Sequence, residues 1–405
     1  MVGALEGIRI IEFASAVSGP SAAVSLADCG AEVIKVEDRN RGDQTRGVEA
    51  YFGSAMSLPG GLNVVFEAYN RNKKGMTLDL EKEKGKEVMY RLVTKSDVFL
   101  TNYRESLLVK LGVDYDTLCG VNPRIIYALG SGYGSKGPDR EKRTFDWAGQ
   151  ARSGLMSMTG EREGPPGLII GNVVDQIAGQ FLAHGIVVAL LARERLGISQ
   201  RVDASMLGGA LLVQAATLCP TLWKGHVPRR HSSQQAKNAF ANYYMCADGK
   251  WIILSEPQAY RFWPQLCKAL GIERLRDDPR FSTASSQREN SIELISILKQ
   301  VFATKTSNEW VRILDEEVKI SCSPVLSMDE VVTDPQVREN GYIVDFDHPV
   351  LGKIKVPGFP VGLSETPSTV RSAPPQFGQH TEEILLEVGG YTWDEIAKLR
   401  EGEVI

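Results

Sequence analysis

Several things are missing from this sequence, and each absence removes a class of protein. Its six cysteines, Cys29, Cys119, Cys219, Cys246, Cys267 and Cys322, are scattered with neither CxxC nor Cys/His spacing. That pattern excludes a disulfide framework and gives no metal site, and it reads as small core residues in a reducing cytoplasm. Neither charge sign dominates: 46 Lys and Arg stand against 50 Asp and Glu. There is therefore no global pull toward nucleic acid or an anionic membrane, and any phosphate site has to be local. Met1 to Gly7 shows no basic stretch leading into an apolar one, and no apolar run reaches the ~18 residues of a membrane span. The expectation is a cytoplasmic protein, without nucleic-acid or membrane partners. Internal repeats and low-complexity segments are also absent.

What is present is a β-α alternation. Gly7 to Phe13 is β-rich, Ser18-Gly19-Pro20 opens a helix that runs to Asp28 and stops at Gly30, and Ala31 to Glu37 is the next strand. A helix near Glu81 to Lys95 follows, then strands at Asp97 to Thr101, Arg124 to Leu129 and Gln200 to Ala204, and a buried helix over Met206 to Cys219. Such alternation predicts an α/β fold with a doubly wound, mainly parallel, Rossmann-like sheet. Glu37 or Asp38 stands where an acidic residue meets a ribose in dinucleotide enzymes, but the turn Ala14 to Pro20 carries no GxGxxG. An NAD enzyme is thereby disfavoured. The loop Gly130-Ser131-Gly132-Tyr133-Gly134 leaves a strand end, either as a ligand loop or as a plain turn. A large domain over 1–225, completed by 331–405, and a smaller α+β domain over 226–330 are expected. The smaller one starts with a hairpin, Tyr243 to Leu254, turning at Asp248-Gly249.

Gly171-Asn172-Val173-Val174-Asp175 leads into a long apolar helix read as Gln176 to Arg193. An Asp in that place is first of all an N-cap. The same helix end also favours an anionic nucleophile or an oxyanion formed from it. Basic residues gather at Arg39, Arg41 and Arg46, at Arg71, Lys73 and Lys74, at Lys110 and at Arg143. Each alone reads as a surface charge, and together they are candidates for phosphate contacts.

Over nearly its whole length the chain resembles the family III CoA-transferases, typified by formyl-CoA:oxalate and carnitine CoA-transferases. The segments that carry the resemblance are LEGIRIIEFASAVSGPSAA with GAEVIKVE, NRNKKGMTLDL, LGVDYDTL with NPRIIYALGSGYG, FDWAGQARSGLMSMTG, VVDQIAGQF with ALLARERLGISQRVDASM, DDPRF and GQHTEEILLEVGGY. Their joint order is the specific signal. The resemblance implies that Asp175 is the nucleophile, working through an aspartyl-acyl anhydride and an aspartyl-CoA thioester. It implies CoA contacts at Ala16, Val17, Lys73, Lys110 and Arg143, and an active site lined by Val17, Phe145, Asp146 and Gln150. It further implies that coenzyme A enters as an acyl-CoA substrate, with no prosthetic group or metal, and that subunits form interlocked dimers, with an identical chain or a paralogous subunit as partner.

Three departures from formyl-CoA transferase stand out. Val17 replaces a glutamine, Asp38 an adenine-side arginine, whose place Arg39 is positioned to take, and Phe145 a tyrosine. The region matching that enzyme's glycine-run lid, His231 to Asn238, has no glycine, which argues against formyl and oxalyl transfer. Arg229-Arg230-His231 is either a solvated loop or a partner for an acceptor's second carboxylate. The expected reaction thus moves CoA from a donor such as succinyl-CoA to a dicarboxylate or aryl-substituted dicarboxylate. One rival is an α-methylacyl-CoA racemase, which shares the fold but needs a histidine where Phe145 stands, so its acid/base pair is broken. A non-catalytic partner subunit is the other.

Overall fold

The computed structural model describes residues 2–405. Six parallel strands form the central sheet: β1 (Arg9–Phe13), β2 (Glu32–Asp38), β3 (Lys73–Leu78), β4 (Val98–Thr101), β5 (Ile126–Ser131) and β6 (Arg201–Ser205). Their order is β3-β2-β1-β4-β5-β6. Helices cover both faces, so the strands are apolar on alternate residues of either side. Ile11, Ile34 and Phe99 enter one buried cluster. Ile10, Val33, Val98 and Leu100 enter another. The strand β3 was not read from the sequence, because Lys73-Lys74-Gly75 hides its apolar half.

Winding proceeds outward from β1 through β2 to β3, then returns to β4 on the other side. The reversal leaves a crevice beyond the carboxyl ends of β1 and β4, the general ligand position of open α/β sheets. Helix α1 (Ser18–Asp28) follows β1 directly. Further along come α2 (Asp146–Arg152) and the long α3 (Val173–Leu196). A close crossing joins α1 to α3: a Cβ on Gly179 would lie 2.0 Å from Ser21 Oγ and 2.7 Å from Ser18 O. Glycine is what allows the approach, and the approach fixes the start of α3 over the crevice.

Three expectations need correction. The α3 helix begins at Val173, not Gln176, so Asp175 is its third residue and not its N-cap. Contrary to the reading of apolar runs, α3 is long and apolar enough to cross a membrane by length and composition, but here Val174, Ala178, Leu182, Ala183, Ile186, Ala189 and Leu190 are buried within the chain. The helix read over Met206 to Cys219 is two, α4 (Met206–Val213) and α5 (Ala215–Lys224), bent by 82°. Leu212, Val213, Leu222 and Trp223 of this pair are exposed instead of buried.

The chain divides into two compact units, one reaching Met156 and continuing through Leu168–Val227 and Pro335–Ile405, the other made of Ser157–Gly167 and Pro228–Asp334. The excursion Ser157–Gly167, expected in the large domain, joins the second unit for a local reason. Glu161 accepts from the Ser233 backbone N–H at 3.1 Å and from the Tyr243 hydroxyl, and Arg230 donates to the carbonyls of Gly164 and Pro165. The second unit has its own antiparallel sheet of Ala241–Met245, Trp251–Ser255 and Cys322–Pro324. Its core holds Tyr244, Ile252, Trp263, Leu298, Phe302 and Trp310.

Candidate active site

A cavity of about 580 Å³ occupies the crevice of the first unit, with walls from the loops after β1, β4 and β5 and from the starts of α2 and α3. Its size lies within the range of small-molecule sites. Asn102, just beyond β4, ties two of these loops together: its Nδ2 donates to Ser15 O at 2.7 Å, and its Oδ1 accepts from Ser15 N at 3.1 Å. Ala16 takes the left-handed conformation, φ 66°. No side chain caps α1, so the N–H groups of its first turn have no partner within the helix. Val17 and Ser18, at that end, form part of the cavity wall.

Asp175, 7% exposed, also belongs to the cavity wall. The chain reaches it through Gly171 and Asn172, both at positive φ, and the Tyr51 hydroxyl donates to Asn172 Oδ1. Capping of α3 is supplied by Asp146, from another helix. Its Oδ2 accepts the backbone N–H of Val174 at 2.7 Å and of Asp175 at 3.1 Å, and its Oδ1 accepts from Gln150 Nε2 at 2.5 Å. Gln150 is held in turn by both backbone groups of Ile169. Because Asp146 does the capping, the Asp175 side chain is left without any hydrogen-bond or ion-pair partner among the described residues. Burial, reinforced by the nearby Asp146 carboxylate, pushes its pKa up to about 7. A carboxylate so placed is a candidate nucleophile or base, desolvated and poised near neutrality.

Behind the β1 loop lies a second buried charge cluster. Lys35 Nζ is 3.0 Å from Glu12 Oε1 and 2.8 Å from Asp43 Oδ2, and Lys73 Nζ is 2.6 Å from Glu12 Oε2; the four side chains are buried. Asp43 Oδ1 accepts from Ser15 Oγ at 3.1 Å, from Ala16 N at 3.3 Å and from Thr45. The cluster therefore grips the turn that carries the left-handed Ala16.

Of the residues anticipated for a site, the structure gathers Ala16, Val17, Arg143, Phe145, Asp146 and Asp175 around the cavity, with Gln150 directly behind Asp146. It does not bring three of the expected cations there. Lys73 is buried against Glu12, Asn70 Oδ1 and Pro20 O. Arg39 donates to Ile405 O at 2.9 Å. Lys110 is an exposed partner of Glu81 at 3.6 Å. Nor are Glu37 and Asp38 open to a ribose: Glu37 holds Arg46 through both oxygens at 2.8 Å, and Asp38 caps its own turn at Asn40 and Arg41. The segment 231–238 is pinned within the second unit, with Ser232, Ser233 and Ala236 buried and Ser233 bonded to Glu161 and Asn242. Arg230 is occupied by carbonyls and His231 by Asn242. Residues that the sequence reading missed include Tyr51, Asn102, Tyr103, Arg104, Arg140 and Lys142 on the cavity wall. For Asn102 to Arg104 the signal was available, since they follow a predicted strand end.

Comparison with known proteins accords with this geometry. The sequence model of CoA-transferase family III matches residues 5–381. A Fusarium pseudograminearum protein named acyl-CoA transferase is 35% identical, covering 100% of this chain and 88% of its own length. A formyl-CoA:oxalate CoA-transferase from a Bradyrhizobium species is 32% identical over 99% of this chain and 97% of its own. The succinyl-CoA–D-citramalate CoA-transferase of Chloroflexus aurantiacus is 32% identical, with 99% and 98% covered. Among solved structures, a CaiB/BaiF family protein from Brucella suis superposes with a TM-score of 0.83 at 27% identity, over 96% of this chain and 100% of that one. A Mycobacterium tuberculosis protein gives 0.80 at 31% identity, over 94% and 99%.

Proposed function

We propose that the chain, which belongs to CoA-transferase family III, moves CoA from an acyl-CoA donor, with succinyl-CoA as candidate, to a dicarboxylic acid through covalent intermediates on Asp175. The Asp175 carboxylate attacks the thioester carbonyl and CoA thiolate leaves, giving an aspartyl-acyl anhydride. The thiolate attacks the aspartyl carbonyl, which releases the donor acid and leaves an aspartyl-CoA thioester. The acceptor carboxylate attacks that thioester, forming a second anhydride and freeing the thiolate. Attack of the thiolate on the acceptor's carbonyl yields the new acyl-CoA and returns Asp175.

The observation that carries this reading is the buried Asp175 carboxylate at the cavity wall, its helix capped by Asp146 so that no hydrogen bond or cation blunts it. Backbone N–H groups at the start of α1 are suited to a developing oxyanion. Arg104, Arg140, Lys142 and Arg143 supply cations for CoA phosphates and a second carboxylate. Phe145, which has no titratable group, stands beside Asp146 where racemisation would need an acid/base partner. The names of the Bradyrhizobium and Chloroflexus relatives, with oxalate and D-citramalate as acids, support a dicarboxylic acceptor. The exposed Leu212, Val213, Leu222 and Trp223 support burial against a partner subunit, identical or paralogous.

Trapping tests the mechanism. Protein incubated with succinyl-CoA and then treated with hydroxylamine or borohydride should carry a modification at Asp175 by peptide mass spectrometry. An unmodified Asp175 in a preparation that transfers CoA would overturn the proposal.

A further inference from the structure

Asn172 stands at the N-cap of α3 and does not cap it. Its side chain makes no bond to the helix, and its backbone is left-handed, with φ 58° and ψ 40°. An Asn in this place ordinarily accepts an N–H of the first turn. Here Asp146 accepts the N–H groups of Val174 and Asp175, so Asn172 Oδ1 is left for another donor. That donor is the Tyr51 hydroxyl, 121 positions away in sequence. Asn172 itself is buried.

Tyr51 is fixed in its turn. It belongs to a hairpin of Ala50–Tyr51 and Ser54–Ala55, whose stem continues in a bond from Met56 N to Glu49 O at 3.0 Å. Asn63 Nδ2 donates to Val48 O at 2.7 Å, which ties down the segment leading into the hairpin. Val48 and Tyr51 line the same cavity as Asp175. Burial, and after it the Asp175 and Asp146 carboxylates, push the Tyr51 phenol above its ordinary pKa. It stays protonated through the neutral range, and its one proton is committed to Asn172.

A left-handed asparagine is accessible but not preferred, so an untied Asn172 would let the first turn of α3 shift. Every step of the transfer passes through the Asp175 carboxyl, and a displacement of about 1 Å costs as much as 10²-fold in rate. We propose that Tyr51 is a positioning residue for CoA transfer: by holding Asn172 Oδ1 it locks the turn that sets the first residues of α3, and with them the Asp175 carboxyl. This adds a residue to the transferase reading and rests on it. Asp146 fixes the N–H groups of the first turn, and Tyr51 fixes the residue that enters it.

A double-mutant cycle tests this. Tyr51→Phe removes the hydroxyl and keeps the ring, while Asn172→Gly removes the acceptor and suits the left-handed backbone. Each single variant should form the trapped Asp175 adduct from succinyl-CoA about 10- to 100-fold more slowly at saturation, with half-saturation within about threefold of the parent's. The double variant should be no slower than the slower single one, because both substitutions break the same bond. The acid limb of the rate should move to lower pH, since a loosened Asp175 is better solvated; a merely stabilising role would leave that limb in place. Losses that multiply in the double variant overturn the inference, by giving Tyr51 a task independent of Asn172. So does an unmoved acid limb, or a Tyr51→Phe variant changed only in half-saturation, which assigns the hydroxyl to substrate binding. Variants that form the adduct as fast as the parent remove this inference alone. A parent that transfers CoA without an adduct at Asp175 removes the transferase mechanism and this inference together.

Discussion

Glu12, Lys35, Asp43 and Lys73 are buried like Asp175, yet burial has opposite consequences in the two places. In the quartet each charge faces its opposite. Desolvation by itself would strip Lys35 of its proton, but Asp43 and Glu12 hold it and push its pKa up. Asp43, which burial would raise, is pulled down to about 2 by Lys35 and by its bonds to Thr45. Asp175 meets no cation, and its nearest charged neighbour is another carboxylate, so the same desolvation takes it to about 7. Paired burial fixes charges in place, and unpaired burial shifts the proton. The two are physically linked, since Asp43 grips the β1 turn, which lines the same cavity as Asp175.

The comparison can be broken at either end. Asp175→Asn should lower CoA transfer by at least about 10⁴-fold in a steady-state assay, while raising stability at pH 8 by up to about 4 kcal/mol in urea titrations. The sign follows from the proton. The folded chain keeps the Asp175 proton above the usual 3.8, so its contribution is complete below that pH and is lost as pH rises through about 7. Asp43 has the reverse slope, contributing above 3.8 and losing its effect as pH falls through about 2. A variant no more stable than the parent at pH 8 would show that Asp175 is not held against its ionisation.

Lys35→Met comes next in size. It leaves the buried Asp43 without a cation and Glu12 with Lys73 alone, and should destabilise the protein by about 3–5 kcal/mol, read by thermal or urea unfolding. A loss below about 1 kcal/mol would mean that the quartet is not a paired scaffold. Asp146→Asn should have the smallest effect. Asparagine still accepts from the α3 N–H groups, so the cap survives, but the repulsion on Asp175 is gone. The acid limb of kcat/KM should move to lower pH, with a gain of less than about tenfold at pH 6. An unmoved limb would separate Asp146 from the titration.

The sequence revealed the parallel β-α frame because buried strands leave short β-rich runs such as GIRIIEF and AEVIKVE, separated by helix starts and stops. Lys35 in the second run gave no sign of being buried and paired, which only the fold displays. Asp175 was legible as a candidate site carboxylate at a helix start, but it is not its helix's cap. The cap comes from Asp146, a contact between distant residues that no local pattern displays. Arg39, Lys73 and Lys110 failed as site cations for a related reason: charge is visible in sequence, but direction is not. On β3 the period of two sends Lys73 inward to Glu12 and Lys74 outward to Glu383. The cations at the cavity sit on loops, whose paths depend on the whole fold.

The last stretch of the chain sets the order in which the protein is made. Ile384, Leu385, Ile396, Leu399, Val404 and Ile405 pack into the same cluster as Ile11, Ile34 and Phe99, and the edge of the sheet bonds to them, Asp79 N to Val404 O. During synthesis the first unit has to wait for residues 384–405 to leave the ribosome, while the intervening segment 228–334, with its own core, is already free to fold. For that interval the part of the apolar cluster that residues 384–405 cover stays exposed. A stall or premature stop near residue 380 would release a chain with one finished unit and one open sheet.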